Sequence, residues 1–206
     1  MKRSIFKKGK KYTFTDYFAM NYPIEEIVGE FGYSYAFEII DFAKPEIDDK
    51  NIIKNLKETF YNILPKITLT SEIAKREFLI APILMEIVKT TESKMNIEYQ
   101  IDVDDKLSGL LDYLIRSKQN LIVIEAKKGD LDKGFNQLSV EMIALDKYED
   151  CDLHNFYGAV TVGDIWKFAI LQREKKHIIK DIHSYRVPED IEDIYSILKG
   201  IVELQP

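Results

Sequence analysis

The chain has 206 residues, of which 46% are hydrophobic and 31% charged, and a net charge of −6. That is one ordinary globular domain with enough apolar side chains for a sizeable core, which excludes a disordered or fibrous chain and a surface coated for nonspecific DNA binding. A single cysteine, Cys151, excludes an intramolecular disulfide, and no apolar run reaches the ~18–20 residues of a membrane span.

The first 11 residues carry six positive charges (Lys2, Arg3, Lys7, Lys8, Lys10 and Lys11) and no negative ones. No long apolar segment follows, so a secretory signal is not expected and the cytoplasm is the predicted location. The basic start reads as a solvated end, with an arm contacting nucleic acid as the alternative. Thr15-Asp16 is a cap for a helix carrying Tyr17, Phe18 and Met20, and Pro23 opens a second helix stopped by Gly32. Tyr33–Phe42 fits helix or strand. Ile53, Leu56, Phe60 and Ile63–Leu64 form a helical stripe that Pro65 ends. Residues 1–65 are therefore expected to be a helical extension packed on a core of residues 66–206.

Thr70 and Ser71 are N-caps for a helix to Lys89, which Pro82 should kink or split. Asn96–Val103 alternates as a strand. Leu110–Ile115 and Leu121–Ala126 are short, rich in β-branched and aromatic residues, and separated by the polar Ser117–Asn120. Asp130 or Asp132 caps a helix from about Lys133 to Tyr148, with Phe135, Leu138, Met142 and Leu145 as its stripe. Phe156–Val162 and Ile165–Gln172 form a hairpin around Gly163-Asp164. A strand over His177–Tyr185 and a helix opened by Pro188 complete the chain. This order predicts an α/β fold, a mixed central sheet sandwiched by helices.

A two-residue turn at Lys118–Gln119 places Arg116 opposite Leu121 and, counting outward, Asp112 opposite Glu125. Directly opposed residues have Cβ atoms roughly 5 Å apart, and Lys127 shares the face of Glu125. Two carboxylates that close repel, so one holds a proton or a cation lies between them. Mg²⁺ and Mn²⁺ favour such oxygen pairs.

Asp112, twelve residues, then Glu125-Ala126-Lys127 resembles the core motif of the PD-(D/E)XK nuclease superfamily. The Gly109-Leu110-Leu111-Asp112-Tyr113 context and the apolar Ile122-Val123-Ile124 agree with it. Ser71-Glu72 opening a helix, Arg76, Leu79–Leu84 and Glu98-Tyr99 are similar to the N-terminal nuclease domain of type I restriction enzyme motor subunits. Gln137 falls where those domains and RecB-like nucleases place a glutamine. The likeness spans about residues 71–148. It departs at Leu111, where the family usually has proline, and at Glu141, where RecB-like enzymes have tyrosine; no phosphate loop of an ATP-driven motor occurs.

The resemblance implies a restriction endonuclease-like fold and a metal-dependent nuclease acting on nucleic acid, with DNA the expected substrate. Asp112, Glu125 and the Ala126 carbonyl would hold Mg²⁺ or Mn²⁺, Lys127 would hold the attacking water, and Glu72 and Gln137 would position water or substrate. The competing readings are ordinary ones. Asp112 with Lys127 would make a cross-strand salt bridge, Glu72 would complement a helix dipole, and Gln137 with Glu141 would be a solvated face. Lys128 reads as an exposed strand-end charge, and the three histidines as surface or satisfied residues. A nuclease fold without turnover, binding nucleic acid or regulating a partner, is the second functional reading. Assembly through Tyr12–Tyr35, as in a homodimer, is the third.

Overall fold

A computed structural model describes residues 4–118, 120–127 and 129–203. Thr13 caps α1 (Phe14–Phe18): its N–H and hydroxyl both donate to the Asp16 carboxylate. Pro23 leads into α2 (Ile24–Gly29), and Gly32, at φ 82°, turns the chain out of it into β1 (Ser34–Glu38). Asp49 accepts the Asn51 N–H and starts α3 (Lys50–Ile63), which buries Ile53, Leu56 and Phe60 and ends in a tight turn containing Pro65.

Ser71 accepts the Ala74 N–H and starts α4 (Glu72–Lys75). A π turn over Arg76–Ile80 then joins it to α5 (Ala81–Thr90). Pro82 accounts for that break: it lacks an N–H, and its ring would meet the carbonyl four residues earlier in an uninterrupted α-helix. The Ala81 N–H instead reaches back five residues to the Arg76 carbonyl. The wide turn re-aims Arg76 toward the sheet.

The core follows as β2 (Lys94–Asp104), β3 (Leu107–Arg116), β4 (Leu121–Ala126), α6 (Leu131–Tyr148), β5 (Asn155–Thr161), β6 (Ile165–Gln172), β7 (His177–Asp181), β8 (Tyr185–Arg186) and α7 (Ile191–Glu203). The fold is α/β, with one mixed sheet in the order β1-β7-β6-β5-β4-β3-β2 and β8 beside β6. β4 runs parallel to β5, and β1 parallel to β7; the other pairs are antiparallel. Side chains of α3, α5 and α7 pack on one face with Ile122, Ile124, Trp166 and Phe168. Those of α1, α2 and α6 pack on the other with Val123, Phe156, Val160 and Leu171. Burying one such side chain contributes roughly 1.5–3 kcal/mol.

Tyr12, Tyr17 and Tyr33 are buried core side chains, as is Trp166, which leaves less of the Tyr12–Tyr35 stretch for an outer interface. Three expectations change. Residues 1–65 are not wholly helical, because Ser34–Glu38, within the stretch that fitted helix or strand, extends the sheet beside β7. The expected strand His177–Tyr185 is two short strands, β7 and β8, and α7 starts three residues beyond Pro188. From Ser4 onward the basic end is docked: Lys10 pairs with Asp16 at 2.8 Å and Lys11 with Asp105 at 3.0 Å. Lys2, Arg3, Gln119 of the expected turn and Lys128 lie outside the described residues. Among the described residues, no helix is long and apolar enough to cross a membrane.

Candidate active site

The β3–β4 register matches the spacing argument, with Arg116 opposite Leu121 and Tyr113 opposite Ile124. Beyond that pair the ladder ends. The Asp112 carboxylate accepts the Ala126 N–H at 2.8 Å, a side chain taking the place of a strand carbonyl. Local backbone geometry explains how. Leu111 packs with the α6 layer, while Tyr113, two residues on, packs with the opposite layer. Glu98, across from Asp112 on β2, sits at φ 52°, and Gly109 sits at φ 146° against the Phe14 ring. Regular alternation would put Leu111 and Tyr113 on one face. The irregularity lies at Asp112 and turns its side chain toward the end of β4.

Glu125 ends β4 facing α6 and is 1% exposed. Its Oε1 accepts from the Lys127 ammonium and, at 2.6 Å, from Gln137 Nε2. The same amide nitrogen donates its second proton to Glu141 Oε1 at 2.8 Å. Gln137 and Glu141 lie one turn apart on α6, so one amide holds both carboxyl groups. Both residues are buried, which overturns the reading of them as a solvated face. The stripe argument fails for α6 because the helix is covered all round its middle, from Gly134 to Leu145.

Asp112 does not pair with Lys127. Its cation is Arg76, with Nη1 at 3.3 Å from Asp112 Oδ1 and 3.4 Å from Glu98 Oε1, and with the guanidinium over the Tyr113 ring. The structure thus joins Asp112, Glu125, Ala126, Lys127 and Gln137, and adds Arg76 and Glu141. Glu72 stands apart. It lies one helical turn before Arg76, whose backbone N–H donates to the Glu72 carbonyl, but among the described residues no hydrogen bond or ion pair of the Glu72 carboxylate ties it to the cluster.

Asp112, Glu125 and Glu141 meet Lys127 and Arg76 here, with Glu98 as a fourth and more exposed acid on Arg76, so the acids outnumber the bases. Burial pushes the Glu125 carboxyl well up, and Glu141 and Asp112 add to the effect. Burial likewise pushes Glu141 up to about 7. Burial alone would lower the Lys127 ammonium, yet Glu125 outweighs it and holds Lys127 in its charged form. The buried Glu125–Glu141 pair therefore retains a proton or shares a cation.

Within the site three buried oxygens have no hydrogen-bond partner, Glu125 Oε2, Gln137 Oε1 and Glu141 Oε2, unless a proton shared by the two carboxyls bridges them. Such atoms cost about 1–3 kcal/mol each when left unmet, more for charged groups, and call for an explanation. Carboxylate and amide oxygens are the donors that Mg²⁺ and Mn²⁺ take, so the chemistry of the set fits a hard divalent cation. Among the described residues, no three of His, Cys, Asp and Glu close around one point, so any such ion would complete its shell with carbonyls and water.

Arg76 and Glu141 are the site residues that a sequence reading undervalues. The signal for Glu141 was its spacing from Gln137; Arg76 stands in the stretch that resembles the type I nuclease domains, but spacing does not show that it meets Asp112 after a π turn. The histidines are satisfied locally: His177 Nδ1 meets Ser34 Oγ at 2.7 Å, His183 meets Asp181 at 3.1 Å, and His154 meets Glu174 at 3.3 Å. No protein-family model matches the chain, and no curated protein matches it.

Proposed function

We propose that this protein is a metal-dependent nuclease of the PD-(D/E)XK type that hydrolyses phosphodiester bonds, with DNA as the expected substrate. The observation that carries the reading is the convergence of Asp112, Glu125 and Lys127 at the end of two central strands, with Glu125 Oε2 buried and unmet. Asp112 and Glu125 would hold Mg²⁺ or Mn²⁺, with the Ala126 carbonyl as the third oxygen that the family likeness implies. When bound, the ion supplies Lewis-acid stabilisation of charge building on the phosphoryl oxygens.

The chain's own groups do the rest. Lys127 Nζ, anchored by Glu125, offers its remaining protons to an attacking water and to the negative phosphoryl group. Gln137 fixes the Glu125 carboxylate in one rotamer, and the Ala126 N–H fixes that of Asp112. Preorganised groups of this kind act without reorientation during the reaction.

A second reading has its own support: both Asp112 oxygens already have partners, Ala126 N–H and Arg76. A nuclease-fold protein that binds nucleic acid or regulates a partner without cutting would tolerate that pairing. The test is cleavage of single- and double-stranded DNA by purified protein with Mg²⁺ or Mn²⁺. The nuclease reading expects cleavage that drops by about 10²–10³ in Lys127→Ala and in Asp112→Asn. Undiminished cleavage by both variants would remove these residues from the mechanism, and tight binding without cleavage would favour the silent protein.

A further inference from the structure

A cavity of about 450 Å³ opens between the α1–α2 connection, β1 and the first turns of α6. Its volume is that of a small-molecule site. Tyr22, Tyr35, Phe37 and Phe135 supply its aromatic walls, and Asn136 lines it. Asn136 is 7% exposed, and among the described residues its side-chain amide has no hydrogen-bond partner, although its neighbour Gln137 is fully engaged through Nε2. Its amide atoms are not sealed from solvent, so the residue offers the cavity one donor group and one acceptor.

The cavity also lies in line with the candidate active site. Glu125 is opposite Val160, and Val160 opposite Lys167, so Lys167 shares the sheet face of Glu125. Lys180 is opposite Ala169, two residues on from Lys167, and Phe37 is opposite Lys180. At ~4.8 Å between strands, Lys167, Lys180 and Phe37 lie roughly 10, 14 and 19 Å from Glu125 across the sheet. Lys167 and Lys180 both stand over the Phe37 ring, and Lys180 also over Phe135. Asp132 takes the Lys180 ammonium at 2.7 Å and Asp130 stands 3.9 Å from that of Lys133, which leaves Lys167, beside the cavity, as the cation with no acidic partner within 4 Å among the described residues. Phe37 and Tyr22 are about half exposed at this edge.

Alternating cations and exposed rings along a groove are how proteins track a single nucleic-acid strand, because any base can stack on an aromatic face while ammonium groups follow the backbone. A base paired in a duplex has its hydrogen-bonding edge occupied and could not present it to Asn136. We infer that this cavity receives an unpaired nucleobase a few nucleotides from the bond being cut, with Asn136 reading its hydrogen-bonding edge and Phe37 stacking on it. The inference rests on the nuclease reading and narrows its substrate to single-stranded nucleic acid or a frayed end. The amide presents one donor and one acceptor side, so the pocket recognises a base rather than a particular sequence.

The test is fluorescence anisotropy in EDTA, so that nothing is cut, with three labelled probes: a single-stranded DNA, the same strand carrying consecutive abasic nucleotides, and its duplex. The intact strand is expected to bind at least tenfold more tightly than the other two. Phe37→Ala and Asn136→Leu should each weaken single-strand binding about tenfold, within the ~1–3 kcal/mol of one stacked base, and leave duplex and abasic binding unchanged. Phe37 is half exposed, so its variant keeps the fold even if Asn136→Leu does not. Equal affinity for all three probes, or single-strand affinity untouched by Phe37→Ala, overturns the pocket and leaves the nuclease reading standing. No binding of any probe also overturns the pocket, while the nuclease reading stands or falls on the metal-dependent cleavage assay.

Discussion

Two acids are buried in this sheet, Glu125 at the end of β4 and Asp181 at the end of β7, and their surroundings differ. Asp181 is fully buried and met on both oxygens: the Ile40 N–H at 3.3 Å and His183 Nδ1 at 3.1 Å reach Oδ1, and the Tyr185 hydroxyl at 3.4 Å donates to Oδ2. It ties the segment after β1 to the connection between β7 and β8. Glu125 is as deeply buried, yet only its Oε1 is met, and a second carboxyl, Glu141, lies against it. A protein gains nothing in stability by crowding unmet carboxyls together. The satisfied acid is architecture. The unsatisfied one either shares a proton with Glu141 or takes the cation proposed above.

The strongest way to break this contrast is catalytic. Lys127→Ala should lower metal-dependent cleavage by about 10²–10³, whereas Asp181→Ala should leave the cleavage rate of the folded fraction unchanged. Initial rates normalised to folded protein measure both, and an equal loss in the two variants would erase the distinction.

Stability should move the other way. Asp181→Ala strands the Ile40 N–H and the Tyr185 hydroxyl and should cost about 3 kcal/mol by urea denaturation. Glu141→Gln removes a buried carboxyl while keeping a group for Gln137 to bond, and at pH 8 in EDTA it should be no less stable than the parent.

The pH dependence sharpens the same point. The Glu141 carboxyl is raised by burial from 4.5 to about 7 in the folded chain. A raised carboxyl binds its proton more tightly folded than unfolded, so its contribution is fully present below pH 4.5 and is lost as pH rises through 7. In metal-free buffer, stability should fall by up to ~3 kcal/mol across that window, and Glu141→Gln should flatten the fall. Saturating Mg²⁺ at pH 8 should restore it, by about 2.7 kcal/mol at a hundred times the dissociation constant. A flat metal-free profile in the parent protein would count against a strained carboxyl pair.

Glu72→Ala should do least. With no bond from its carboxylate to the cluster it should change stability by no more than about 0.5 kcal/mol, as for a partly exposed acid in a first helical turn, and leave cleavage intact. A large catalytic loss would place Glu72 back beside Asp112.

Much of this was legible from local sequence. Strand runs, the Gly163-Asp164 hairpin, the break at Pro82 and the register of Arg116 with Leu121 follow from periodicity, turn chemistry and the missing N–H of proline. These act over a few residues, so sequence determines them directly. The shared face of Glu125 and Lys127 was legible for the same reason, but the expected opposition of Asp112 and Glu125 lies beyond the end of the ladder, where Asp112 meets the Ala126 N–H instead. The surroundings of α6 were not legible: its polar residues Gln137 and Glu141 resemble a wet face until α1, α2 and the sheet enclose them. Nor could spacing foretell that Ser34–Glu38 would pair with β7, a contact spanning more than 140 residues. Only tertiary structure decided which cation meets Asp112, which oxygens stay unmet and which rings line the cavity beside Asn136. Each depends on packing between segments far apart in the chain.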